Sequence, residues 1–247
     1  MVRLPKGLLL IIALSAFAVF TTGCGNTGNS EIRFVHAISN GPPGGVDIEF
    51  DNDKIFTAMN FGQVLPAAPA YQSVPPGTDT ITVLDTGTTN QAFSPVTANI
   101  SASTQYTLLM AGFLSGSGPT APTVYVITDN NNPPTSGNIE IRIIDGSSYT
   151  PQGGFNVYIV PPGTQITTQT KPTISGVLLG QSSYQTLAYA STGYDVVVTP
   201  NGSILEYFSH PLTSLSTGSI TTMVIMDLPP QDGGGVSANP LVWTDLK

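Results

Sequence analysis

Short stretches of alternating apolar and polar residues run along the chain from about residue 31, and they predict β-strands. In the stretch 46–51 the two kinds of side chain separate cleanly, with Val46, Ile48 and Phe50 apolar and Asp47, Glu49 and Asp51 acidic. Successive side chains of a strand point to opposite faces, so this pattern predicts that the three acidic residues face solvent. Four further stretches, rich in the β-branched and aromatic residues that favour strands, lie at 32–37, 79–85, 105–112 and 123–128.

Turns rich in proline and glycine separate these stretches. The chain has 26 glycines and 21 prolines, and no stretch after residue 25 carries a sustained helical period. Several short strands divided by such turns indicate an antiparallel sandwich or barrel. We therefore predict an all-β fold of two tandem antiparallel immunoglobulin-like β-sandwich domains, since such a domain needs about 100 residues.

The chain contains two copies of one module, as internal matches show. Residues 31–50 align without gaps to residues 140–159, and both copies begin with Glu-Ile-Arg. Further along, "FGQ" in the first copy matches "LGQ" in the second, which places Tyr71 opposite Tyr189. The predicted divisions are a signal peptide at 1–23, a tether at 24–30, a first module at 31–128, a linker at 129–138 and a diverged second module at 139–247.

The N-terminus is typical of an export signal. Two basic residues precede an apolar run at 7–20, which is shorter than the roughly 20 residues of a membrane-spanning helix. The arrangement around Gly23 and Cys24 resembles the bacterial lipoprotein signal, which implies cleavage between these two residues and a lipid on Cys24. Thr21 stands where that signal usually has leucine. A plain secretory signal and an uncleaved membrane anchor are the alternatives.

The same resemblance bears on localisation. It implies a membrane-anchored lipoprotein of the cell envelope, with the membrane as its partner. Gly25 follows the cysteine, whereas an aspartate there retains lipoproteins at the inner membrane of enteric bacteria. We therefore expect the outer membrane, with the modules on its periplasmic or its surface side.

Composition excludes several function classes. The formal net charge of −8 argues against nucleic acid, which requires clustered Lys and Arg. A single cysteine can form neither a metal cluster nor a disulfide framework. Gly23, Gly25 and Gly28 have the spacing of a dinucleotide-binding loop, but a strand pattern follows them instead of the required helix.

The modules resemble the domain of unknown function 4397 family of bacteria. The matching segments of the first copy are "IRFVHAISNGPPGGVDIEFDND" at 32–53, "FGQ" at 61–63, "YQSVPPGTDTITV" at 71–83 and "YTLLMAG" at 106–112. The second copy departs from the pattern, and Asp145 replaces His36. The resemblance implies a secreted or surface-tethered β-sandwich, often in tandem copies, and implies no reaction.

Four acidic residues are weak candidates for a calcium site, because calcium prefers several oxygen ligands. They are Asp47, Glu49, Asp51 and Asp53. Their spacing does not fit an EF-hand loop, and the second copy has Asn156 and Tyr158 in place of the first two. The solvent-facing side of a strand explains them more simply, so we expect no metal and no cofactor.

Catalysis and glycan binding have few candidate residues. His36 and His210 are the only histidines, and neither has a carboxylate or serine at a motif spacing, so we predict no enzymatic activity. His36 is expected to end a strand beside a turn. Aromatic side chains offer flat faces to sugars, and the candidates are Tyr71, Tyr158, Tyr189 and Trp243.

These observations favour a lipid-anchored envelope protein with a non-catalytic structural or adhesive display role. A glycan- or peptide-binding surface module is the alternative, and it requires a cleft or an aromatic platform on or between the sandwiches. A hydrolase is a remote alternative, and it requires a histidine in a pocket beside carboxylates.

Overall fold

A computed structural model describes residues 28–246. The predicted signal peptide, the cleavage site at Gly23 and the lipidation site at Cys24 lie outside the described residues. The described chain forms seventeen β-strands and two short 3-10 turns, which confirms the all-β prediction. Within the same residues, no helix has the length and apolar character needed to cross a membrane.

The first module is a sandwich of two sheets. Its strands are β1 (Ser30–His36), β2 (Val46–Phe50), β3 (Asp53–Met59), β4 (Val64–Leu65), β5 (Gln72–Val74), β6 (Gly77–Asp85), β7 (Val96–Ile100), β8 (Gln105–Ala111) and β9 (Thr123–Thr128). One sheet has the order β4-β1-β8-β9, with β5 also paired to β1, and the other has the order β3-β2-β6-β7.

The second module repeats this plan. Its strands are β10 (Asn138–Asp145), β11 (Phe155–Val160), β12 (Ile174–Val177), β13 (Ser182–Ala188), β14 (Tyr194–Pro200), β15 (Phe208–Leu212), β16 (Ile220–Ile225) and β17 (Leu241–Leu246). The sheet orders are β13-β10-β16-β17 and β12-β11-β14-β15. The continuous strand β13 therefore takes the place of β4 and β5, which residues 66–71 separate.

Most strand pairs are antiparallel, but each module contains one parallel pair. Strand β1 runs parallel to β8, and β10 runs parallel to β16. Parallel neighbours need a long connection, and in each module this connection contains the whole second sheet together with β4 and β5 or their equivalent β13. The two sandwiches are therefore mixed at one pair and antiparallel elsewhere.

Three apolar cores divide the molecule into four layers. One core fills each sandwich, and a third lies between the modules. Its buried members come from β1, β8, β10, β16 and the residues after them: Val35, Ala37, Leu109, Ala111, Ile144, Val224 and Met226. The sheets that contain β1 and β10, here called the inner sheets, therefore pack against each other.

Burial on both faces explains the sequence of the inner strands. Phe34 lies in the core of its own module, whereas its neighbour Val35 lies in the core between the modules. Strands buried on both faces have near-continuous apolar sequences, as "EIRFVH" and "ITTMVI" do in part. The polar exceptions in these strands, above all Arg33 and Arg142, form the charged site described next.

Candidate functional site

Four charged side chains form a buried network between the inner sheets. Asp129 Oδ2 lies 3.1 Å from Arg33 Nη2, and Asp129 Oδ1 lies 2.7 Å from Arg142 Nη2. Arg33 also donates a hydrogen bond to Asp245. All four side chains are at most 1% exposed. The network joins the modules, because Arg33 and Asp129 come from the first, and Arg142 and Asp245 come from the second.

Neutral partners supply hydrogen bonds to the two carboxylates, whereas Arg33 Nη1 has no hydrogen-bond partner among the described residues. Asp129 Oδ2 accepts hydrogen bonds from Thr107 Oγ1 at 2.7 Å and from the Tyr71 hydroxyl at 2.6 Å. Asp245 accepts from Thr222 Oγ1, and from Trp243 Nε1 at 2.8 Å. Buried charges are tolerated when hydrogen bonds satisfy their remaining lone pairs.

Aromatic rings cover the two guanidinium groups at matching places. Arg33 Cζ lies 4.3 Å from the centre of the Tyr71 ring, and Arg142 Cζ lies 5.1 Å from that of Tyr184. Arg142 also pairs directly with Tyr184 across β10 and β13. Tyr184 therefore occupies the position equivalent to Tyr71, and the alignment of Tyr71 with Tyr189 is wrong. The segment 66–71 between β4 and β5 is the cause, because β13 has no such interruption.

Opposite charges stabilise the ionised forms of Asp129 and Arg33. Burial works against the charged form of Asp129, but Arg142 and Arg33 outweigh it and lower the pKa of that carboxyl. Burial likewise works against the charge on Arg33, and Asp245 is the main group that raises its pKa. Each module contributes one positive and one negative group, and the ion pairs Arg33–Asp245 and Arg142–Asp129 cross the boundary between the modules.

A cleft of about 450 Å³ opens where the two modules meet, at the end of β1. The first module contributes His36, the turn at 39–43 and the turn at 60–61, and the second contributes the loop at 229–231. We call this the boundary cleft. Its walls are a mixture of proline rings, amide side chains and the ring of Phe61.

His36 is a neutral wall of the boundary cleft. The side chain is 2% exposed, and its Nδ1 accepts a hydrogen bond from the backbone N–H of Ile38 at 3.3 Å. The proton of the neutral ring therefore lies on Nε2. Burial lowers the pKa of His36 to about 4, so the ring is uncharged at neutral pH. The expectation that His36 ends a strand beside a turn is confirmed.

Ser39 supplies a second polar group to this cleft. It is 8% exposed, and its hydroxyl has no hydrogen-bond partner among the residues that the structure describes. Leaving a buried hydroxyl unpaired costs about 1–3 kcal/mol. The hydroxyl oxygen itself is buried just behind the wall of the cleft, so an incoming molecule reaches it through a small shift of the turn at 39–43.

The two histidines lie in separate clefts. His210, on β15, lines a cleft of about 240 Å³ together with Trp243. No carboxylate belongs to the lining of either histidine's cleft in the described part of the chain. The structure therefore does not bring His36 or His210 together with the acidic partner that a hydrolase of the predicted kind would need.

The acidic strand β2 departs from its predicted role at Asp47. This side chain is 2% exposed rather than solvent-facing, and it accepts from Lys54 Nζ at 2.8 Å, the Ala58 N–H at 3.0 Å and the Gly87 N–H at 3.2 Å. Burial opposes its ionisation, but the bonds led by Lys54 outweigh burial and lower the pKa of Asp47 to about 2. Lys54 and Ala58 of the neighbouring strand β3 contact Asp47 and bury it. The alternation of apolar and polar residues in β2 does not predict these contacts.

The other calcium candidates do not converge with Asp47. Asp51 is exposed and accepts a hydrogen bond from the Thr80 N–H at 2.7 Å, Asp53 is exposed, and Glu49 is half-buried. Across residues 28–246, no group of three or more His, Cys, Asp or Glu side chains is placed to hold a metal ion.

The four candidate aromatic residues do not form one platform. Tyr71 and Trp243 lie against Arg33 in the charged network, and Tyr158 is 3% exposed. Tyr189 is 42% exposed but lies beside the start of β10, away from the other three. None of these four residues lines the boundary cleft.

One pair of buried carboxylates has no counterpart in the sequence-based predictions. Asp145 takes the position of His36 in the second module and accepts from the Ser147 N–H at 2.9 Å and Thr150 Oγ1 at 2.6 Å. Burial, with a contribution from Asp227, raises the pKa of Asp145 to about 7. The only available sign was the exchange of His36 for Asp145 followed by the hydroxyl-rich run "SSYT".

The fold defines a protein of two stacked β-sandwich modules with a cleft at their boundary. The family model described as "Domain of unknown function (DUF4397)" matches residues 30–158. This match spans more than half of the chain, so the protein belongs to that family, as the resemblance implied. None of the curated proteins matches the chain.

Solved structures similar to this chain include two at 10% sequence identity. A family 26 carbohydrate-binding module from Eubacterium rectale, in complex with maltoheptaose, has a TM-score of 0.27 over 87% of this chain and 96% of its own. A proposed cell adhesion protein from Bacteroides fragilis has a TM-score of 0.21 over 90% of this chain and 97% of its own. TM-scores this low carry no argument about function.

Proposed function

We propose that the protein is a membrane-anchored cell-envelope protein with a non-catalytic adhesive or binding role. The boundary cleft is the observation that carries this proposal. Both modules build its walls, and it contains the unpartnered, buried hydroxyl of Ser39. Small-molecule sites are concave and combine apolar walls with a few convergent polar groups. The boundary cleft is concave and offers apolar and polar surface in about equal measure.

The charged network supports the proposal that the two modules hold the boundary cleft in a fixed shape. A cleft built from two modules keeps its shape only if the modules keep their relative position. The ion pairs Arg33–Asp245 and Arg142–Asp129 cross the boundary, and an apolar core surrounds them. The tandem modules thus act as one rigid body that presents the cleft. A purely structural spacer is the second candidate, since the same rigidity would serve it.

The proposed anchor is a lipid on Cys24. The residues between Cys24 and β1 can span roughly 20 Å when extended, so the first module would remain close to the membrane. Gly25 after the cysteine favours the outer membrane on the lipoprotein resemblance. On this proposal the cleft is displayed within a short distance of the bilayer.

Protease treatment of intact cells tests the anchoring and display. A strain that carries Cys24→Ala is compared with the wild type, and released peptides are identified by mass spectrometry. Surface display predicts module peptides from intact wild-type cells, and loss of cell-associated protein in the variant. Protection until the envelope is broken would place the modules in the periplasm and exclude adhesion to external surfaces. Unchanged membrane association in the variant would contradict the lipid anchor.

The binding role is tested by adhesion. Cells with the wild-type protein are compared with cells that carry Gln231→Trp, in which a large side chain replaces an exposed residue at the rim of the boundary cleft. We expect the substitution to reduce adhesion without changing the amount of protein. Equal adhesion by both strains and by a deletion strain would contradict a binding role and favour the spacer.

A further inference from the structure

We infer that the boundary cleft binds a neutral glycan, and that Ser39 and His36 make polar contacts with its hydroxyl groups. This inference rests on the proposed binding role and names the class of ligand. Three properties of the cleft lead to it: its lack of charge, its flat apolar walls and the kind of hydrogen-bonding groups it offers.

The cleft is uncharged. Among the described residues, its lining contains no Asp, Glu, Lys or Arg. His36 is the only titratable group there, and its burial keeps it neutral at neutral pH. Charged ligands need a paired charge or many donors to offset their desolvation. The boundary cleft therefore does not suit phosphates, carboxylates or ammonium groups.

Flat apolar faces line the cleft on both sides. Pro42 and Pro43 come from the first module, Pro229 and Pro230 come from the second, and Phe61 lies between them. The Phe61 ring meets the His36 ring edge to face, with 6.4 Å between their centres. Rings with an apolar face and polar edges, as sugars have, match such walls. The volume of about 450 Å³ is within the range of small-ligand sites.

The polar groups distinguish a glycan from a proline-rich peptide. Ser39 Oγ can both donate and accept, and His36 Nε2 carries a proton to donate. Sugar hydroxyls also donate and accept, so they can satisfy both groups at once. A proline-rich peptide offers mainly carbonyl acceptors, because proline has no N–H, so it could accept from both groups but would give Ser39 Oγ no donor. The amides of Asn60 and Gln231, both exposed at the rim, add further groups of the same dual character.

Isothermal titration with the full mature chain tests this inference. Cys24→Ser makes the chain soluble, and the probes are neutral oligosaccharides of glucose, mannose, galactose and arabinose. A sulfated glycan, a polyuronate and a proline-rich peptide are included for comparison. We expect binding to at least one neutral oligosaccharide. Ser39→Ala should weaken it by about tenfold, because one hydrogen bond to a buried group is lost.

Two further variants separate contact from folding. Gln231→Trp narrows the cleft from its exposed rim and should abolish binding while the urea unfolding curve stays unchanged. Ser191→Ala removes an exposed hydroxyl in the turn before β14, and it should bind like the parent. These variants keep the test valid even if substitution of His36 itself disturbs the fold.

The outcomes separate the glycan from the wider binding role. The glycan inference is overturned if the parent chain binds no neutral oligosaccharide. It is also overturned if Ser39→Ala and Gln231→Trp both bind the oligosaccharide as tightly as the parent chain does. If cell adhesion still depends on Gln231 in that case, the binding role stands with another ligand. Selective binding of the peptide or of a charged glycan would also overturn the inference, since either needs a different set of contacts.

Discussion

At the residue scale, the positions equivalent by repeat, His36 and Asp145, respond to pH in opposite directions. Both side chains are nearly fully buried. Burial lowers the pKa of His36 to about 4 and raises the pKa of Asp145 to about 7. The folded state therefore favours the neutral form of each, and the unfolded state favours the charged form.

The pH dependence of stability should reveal both groups. His36 costs stability as pH falls from about 6.5 towards 4, because the unfolded chain takes up a proton first. Asp145 costs stability as pH rises from about 4 towards 7, because the unfolded chain releases its proton first. Each effect approaches about 1.4 kcal/mol per pH unit within its window. Relative to the wild type, the free energy of unfolding of His36→Gln should rise as pH falls. That of Asp145→Asn should rise, on the same comparison, as pH rises.

Urea unfolding at several pH values between 4 and 8 measures these differences. Each variant serves as the control for the other, because the two trends have opposite signs. A difference from wild type that stays constant with pH would show that the group has the same pKa in the folded and unfolded chains.

The charged network makes a second prediction at this scale. Asp129→Asn leaves Arg33 and Arg142 without their shared carboxylate, and breaking a buried ion pair in this way costs about 3–5 kcal/mol. The double variant Asp129→Leu with Arg142→Met leaves the Arg33–Asp245 pair balanced, so it should be less destabilised than the single variant. Urea unfolding compares them. Equal or greater loss in the double variant would show that packing, and not charge, dominates at this site.

At the element scale, Asp47 holds the β2–β3 hairpin to the loop after β6. Its carboxylate accepts bonds from Lys54, Ala58 and Gly87. Asp47→Asn should lower the free energy of unfolding by about 1–2 kcal/mol, because bonds to a charged acceptor are stronger than bonds to an amide. Asp53→Asn, at an exposed position in the same hairpin, should change it by less than about 0.5 kcal/mol. Similar losses in both would contradict this role for Asp47.

The sequence predicts strands better than it predicts their partners. Alternation correctly locates β2, and the internal repeat correctly predicts two sandwiches. Alternation does not show that Asp47 is buried, because Lys54 and Gly87 reach it only in the folded chain. It also does not show that inner strands pack on both faces. The ion pair Arg33–Asp245 joins residues 212 positions apart, and the boundary cleft depends on the same packing. The one sequence sign was that both copies carry the same Arg and Asp at matching positions.

At the scale of the whole molecule, the two modules form one cooperative unit. The core between them and the four buried charges are complete only when both are folded. Calorimetry of the mature chain should therefore show one transition, with equal calorimetric and van't Hoff enthalpies. Residues 28–132 alone, which retain Asp129, should be much less stable, because they expose one side of that core and leave Arg33 without Asp245. Two separate transitions would contradict this prediction.

The shared network also constrains how the two copies can diverge. At one pair of equivalent positions the two copies differ, since the first has His36 and the second has Asp145. By contrast, Arg33 matches Arg142 and Asp129 matches Asp245. A charge-removing substitution at any of these four positions removes an ion pair with a residue of the other copy. Duplicated segments are usually free to drift apart, but here the arginine of each copy pairs with the aspartate of the other. These four residues must therefore be inherited as a set.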